Sequence, residues 1–91
     1  MFVERVVAPR DEFELWDERV RLTTEPPEAL VASIAWESGG EVTCINVWES
    51  PDAVADFFLD RVGPLVMAHG APGHKPERLG TAIRAYVRPG R

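Results

Sequence analysis

The chain is 91 residues long, with 45% apolar residues and a formal charge of −5. That is one small domain, and its acidic balance disfavours nucleic acid, which needs a basic surface to displace counterions from phosphates. One cysteine excludes an intrachain disulfide and offers no metal-site spacing. Phe2 to Val7 is rich in β-branched residues, stops at Ala8-Pro9 and predicts a first strand. A strand beginning at Phe2 leaves no room for a signal peptide, and no apolar run approaches the roughly 18 residues of a membrane span. The expectation is a cytoplasmic protein that binds neither nucleic acid nor membrane.

Asp11 is a candidate cap for a helix reaching about Leu22. Phe13, Trp16 and Val20 share one face at spacings of three and four, whereas Leu15 and Leu22 fall on the other side. Either Leu22 lies past the helix end or the helix touches two surfaces. Thr23-Thr24-Glu25-Pro26-Pro27 reads as a loop, since two prolines remove donors and fix the backbone.

Residues 29–37 predict a second strand, and Gly39-Gly40 a two-residue hairpin turn, because both glycines accept positive φ. The third strand follows at about 41–49. The pairing implied by that turn sets Trp36 opposite Thr43, Ala35 opposite Cys44, Ser33 opposite Asn46 and Val31 opposite Trp48.

Ser50 reads as an N-cap, Pro51 as the first helical residue and Asp52 as a favourable charge at the helix start. This helix runs to about His69, with Val54, Phe57, Phe58, Val62 and Leu65 as its buried stripe and a kink expected at Gly63-Pro64. The Gly70–Pro76 stretch is a loop. Leu79 to Arg88 alternates and predicts a fourth strand, followed by a frayed Pro89-Gly90-Arg91 tail. The order β-α-β-β-α-β implies an α+β ferredoxin-like sandwich, with a four-stranded antiparallel sheet and both helices on one face.

Both faces of the central hairpin are largely apolar. Leu30, Ala32, Ile34, Trp36, Thr43, Ile45 and Val47 share one; Val31, Ser33, Ala35, Val42, Cys44, Asn46 and Trp48 share the other. A sheet with helices on one side should present a polar outer face. The second face, on which Ser33 and Asn46 are expected, calls for a cover. The economical cover is a second copy of the chain, sheet on sheet.

The segments Glu25–Ser33, Gly39-Gly40, Val47-Trp48-Glu49-Ser50, Phe58 and Asp60-Arg61-Val62-Gly63-Pro64 together resemble the dimeric α/β-barrel superfamily. Within it the chain is most similar to antibiotic-biosynthesis-monooxygenase-like (ABM) domains, over about residues 11–88. The resemblance implies sheets packed face to face in a homodimeric barrel. It also implies a pocket for a small apolar or aromatic, polyketide-like molecule, and it offers cofactor-free oxygenation as one precedent. Non-catalytic ligand or protein binding is the alternative. Haem-degrading relatives pair a strand-one Asn with a Trp and a His on helix two. Here strand one has no Asn, Phe57 takes the place of the Trp, and His69 falls two residues late, so no cofactor is expected.

The candidate proton acceptor is His69, whose side chain titrates near neutrality; the plainer role is a helix-end His meeting the last carbonyls. Candidate ligand contacts are Ser33 and Asn46 as a polar pair, Trp36, Trp48 and Tyr86 as an aromatic wall, and Arg61 as an anion grip. The competing readings are mutual hydrogen bonding for the pair and core or interface packing for the aromatics. Arg61 alternatively reaches a Glu such as Glu49 or Glu4. Cys44 reads as core. His74-Lys75 reads as solvated loop.

Overall fold

The computed structural model describes residues 1–88; the expected frayed tail lies outside them. The elements are β1 (Phe2–Pro9), α1 (Arg10–Val20), β2 (Leu30–Ser38), β3 (Glu41–Trp48), α2 (Pro51–Phe57), a π-helical turn (Phe58–Val62), α3 (Gly63–His69) and β4 (Glu77–Thr81). The four strands form one antiparallel sheet in the order β2-β3-β1-β4. This strand order is that of a ferredoxin-like sandwich.

Gly39 and Gly40 have φ of 62° and 80°, the positive pair that a tight hairpin between right-twisted strands requires. The turn sets Trp36 opposite Thr43, Ala35 opposite Cys44 and Ser33 opposite Asn46, as expected. The expected pairing of Val31 with Trp48 fails. The register shifts there and Leu30 faces Trp48 instead, which leaves Val31 as the extra residue of a bulge.

Helix α1 starts at Arg10 rather than behind an Asp11 cap. Pro9 precedes it with no side-chain cap, and Asp11 sits in the first turn. It ends where Arg21 turns left-handed at φ 56°, so Leu22 lies past the helix. Phe13, Trp16 and Val20 face inward as their spacing requires.

Ser50 caps α2 as its sequence promises: its Oγ accepts from Ala53 N–H at 3.2 Å. The expected interruption at Gly63-Pro64 takes the form of a π-helical turn just before it. Pro64 has no N–H to continue the ladder and its ring crowds the carbonyl four residues back. The turn widens, and Gly63 N–H bonds Phe58 O. A Cβ at residue 63 would stand 3.3 Å from that same oxygen, which is why a glycine fits there.

The fourth strand is shorter than expected, five residues in place of 79–88. Thr81 faces Phe2 and Ala82 N–H bonds Met1 O, so β4 has reached the end of β1. From Ala82 on, no pairing continues among the described residues.

One sheet face carries Glu4, Val6, Ala8, Ser33, Ala35, Val42, Cys44, Asn46 and Trp48 and lies under the helices. Trp48 is 1% exposed, and its ring meets Phe57 at 5.1 Å between centroids. The opposite face carries Val3, Val7, Ala32, Ile34, Trp36, Thr43, Ile45 and Val47. Ile34 there is 63% exposed and Trp36 48%. The uncovered apolar face is real, but it is not the face that holds Ser33 and Asn46. Those two lie beneath the helices, since strand alternation puts them with buried Trp48.

Candidate functional site

A cavity of about 630 Å³ opens between the sheet and the helices. Its floor is Glu4, Val6, Ser33, Ala35, Cys44, Asn46 and Trp48. Phe13, Trp16, Asp17 and Val20 of α1 form one wall. Val54 and Phe57 of α2, Phe58 and Val62 of the π turn and Val66 of α3 form the other. The widened π turn belongs to this wall, so Pro64 shapes the cavity without touching it. Ala71, Pro72, His74, Lys75 and Pro76 close the mouth. Glu12 tethers that loop, because Gly73 N–H donates to its Oε1.

The floor has one polar end. Asn46 Oδ1 accepts from Ser33 Oγ at 2.7 Å and from Cys44 Sγ at 3.4 Å. Asn46 Nδ2 donates to Glu4 Oε1 at 3.3 Å, and Trp48 Nε1 donates to the same oxygen at 3.0 Å. Glu4 and Asn46 are the buried polar residues of the described chain, 6% and 5% exposed. Each has partners, as buried polar groups require. Burial pushes the Cys44 thiol up; the Ser33 hydrogen bond opposes this, while the negative charges of Asp17 and Glu4 add to it. Cys44 is therefore a thiol at neutral pH, not a nucleophile. Burial also holds the Asp17 carboxyl above its ordinary range.

The structure brings together three of the seven candidate residues: Ser33, Asn46 and Trp48 line the cavity. The other four stand elsewhere. His69 is the exposed last residue of α3 and lines no part of the cavity; Val66, one turn earlier, is the last residue of α3 that does. Trp36 lies on the uncovered sheet face, one residue out of phase with Ala35. Tyr86 lies beyond β4, 79% exposed. Arg61 grips neither an anion nor a glutamate. Its Nη1 donates to the backbone oxygens of Val20, Arg21 and Glu25 at 3.3, 3.1 and 2.7 Å. It thereby satisfies carbonyls that the end of α1 leaves free, and its guanidinium lies 4.9 Å from the Phe57 ring centre.

His74, expected in solvent, is instead part of the cavity mouth, its Nδ1 3.5 Å from Glu12 Oε1. Glu4 went unnamed as a site residue. Its signal was strand alternation: Phe2, Glu4, Val6 and Ala8 share a face, and an acid among three apolar residues is the anomaly worth reading. Cys44 was read as packing alone and also lines the cavity.

No family model matches this chain, and no curated protein matches it. No helix of the described residues is long and apolar enough to cross a membrane.

Proposed function

We propose that this chain is an ABM-like homodimer whose cavity binds a small apolar or aromatic molecule. The cavity itself carries the reading. Its size falls within the roughly 300–1,000 Å³ of ligand pockets, and its walls are mainly aromatic and aliphatic, with polar groups at Glu4, Ser33 and Asn46 on the floor, Asp17 on one wall, and His74 and Lys75 at the mouth. The reading is of binding: His69, the expected proton acceptor, stands outside the cavity, and the histidine that lines it, His74, lies beside Glu12 at the mouth. The bare face with Ile34 and Trp36 supports pairing of two copies sheet on sheet, as the family resemblance implies.

Calorimetric titration with naphthalene tests the cavity. The expected result is saturable binding at one site per chain, weakened in Val66→Trp, which fills part of the space. Heat of dilution alone from the parent protein, or undiminished binding by the filled variant, would overturn the reading.

A further inference from the structure

We infer that residues 70–76 form a lid over the cavity mouth, and that the Glu12 carboxylate is the latch that holds it down. As a gate for ligand entry, the lid rests on the cavity being a binding site.

The way the loop is anchored carries the inference. At one end Gly70 closes α3: its N–H bonds Val66 O, and its φ of 84° is a turn that glycine makes without strain. At the other end Glu77 opens β4, where it pairs with Arg5 and its carboxylate meets the Arg5 guanidinium. Between these two anchors Pro72 and Pro76 have no N–H to give. Among the described residues, Gly73 N–H is the one amide of 71–76 with an acceptor, and that acceptor is Glu12 Oε1. The same oxygen lies 3.5 Å from His74 Nδ1, which is buried and short of a full hydrogen bond. Two adjacent loop residues thus converge on one carboxylate of α1.

Gly73 makes that approach possible. A Cβ there would stand 3.0 Å from Glu12 Oε1 and push the carboxylate off. The loop therefore spans the mouth between two fixed ends and is tied across it at one point. A segment held by so few bonds opens well before the sheet beneath it unfolds. Its opening would uncover the wall that holds Trp16, since Ala71, Pro72, His74, Lys75 and Pro76 all line the mouth of that space. Closing it shields the interior from water.

Two ligand-free readouts test the latch in Glu12→Ala, which replaces a partly exposed side chain by the best helix former. The first is amide hydrogen exchange. Gly73 N–H is expected to exchange about tenfold faster in the variant, the scale of one hydrogen bond to a charged group, while the amides of Cys44 and Ile45 in the central strand β3 keep their rates. The second is acrylamide quenching in a Trp36→Phe background, which leaves Trp16 and Trp48, both cavity residues, as the fluorophores. Quenching is expected to steepen when Glu12 is removed.

Unchanged exchange at Gly73 overturns the inference. So does faster exchange with unchanged quenching, which makes the contact a tether that covers nothing. Equal acceleration at Gly73 and in β3 overturns it too, because Glu12 would then support the whole fold. If Glu12→Ala does not fold, Glu12→Gln decides by the same readouts: it keeps an oxygen but loses the charge that strengthens the bond, and Gly73 exchange should rise by a smaller factor. Neither readout uses a ligand, so a failed latch and a failed naphthalene titration are separate results.

Discussion

The indole N–H of Trp48 donates to Glu4 Oε1 at 3.0 Å, across 44 residues of sequence. The bond joins the last residue of β3 to the third residue of β1. It fixes the ring that floors the cavity and the carboxylate at the cavity's polar end in one contact. Trp48→Ala is expected to cost about 3–5 kcal/mol, the usual penalty for truncating a buried aromatic. In so small a domain that is most of the stability. Thermal denaturation checks it: a variant that melts within a degree or two of the parent would contradict the burial.

Ser50→Ala removes the acceptor of the Ala53 N–H. The expected loss is about 0.5–2 kcal/mol, and Ser50→Gly should lose less than Ala does. An unchanged urea midpoint for the alanine variant would mean that Pro51 and Asp52 define the helix start without the cap. Dimer formation should be untouched by either substitution.

Cys44 offers a pH signature. Its folded-state pKa is raised, chiefly by burial, above the ordinary value of 9.0. Below that value both states hold the proton and the group leaves stability unchanged. Above it the unfolded chain ionises first and binds fewer protons, so stability falls as pH rises toward the folded pKa. Denaturation midpoints of the parent should therefore drop more steeply on the alkaline side than those of Cys44→Ala. Parallel curves for the two proteins would contradict a buried, protonated thiol.

The uncovered sheet face makes the proposed dimer testable at two residues. Trp36→Glu and Ile34→Glu place charge on an interface that sheet-on-sheet pairing would desolvate. The parent is expected to sediment as a dimer and both variants as monomers of 10.1 kDa. Sedimentation of the dilute parent as a monomer would remove the dimer.

The hairpin, the α2 cap and the inward faces of α1 and α2 were legible in the sequence, because each is decided within a few residues. Gly39-Gly40 sets its own turn and with it most of the β2–β3 register. Ser50-Pro51 sets its own helix start. That both faces of the hairpin are largely apolar was also legible from alternation; which of them the helices cover was not.

Four outcomes needed the tertiary structure. The bulge at Val31 depends on how β2 meets Trp48. The length of β4 depends on where β1 ends beside it. The exposure of His69 depends on α3 running on past Val66, the last of its residues to line the cavity. The joining of Glu4 to Asn46 and Trp48 depends on β1 pairing with β3, a contact between segments more than 40 residues apart. Short-range pattern determines which face a residue takes within its element; only strand pairing and helix register decide which residues then share a cavity.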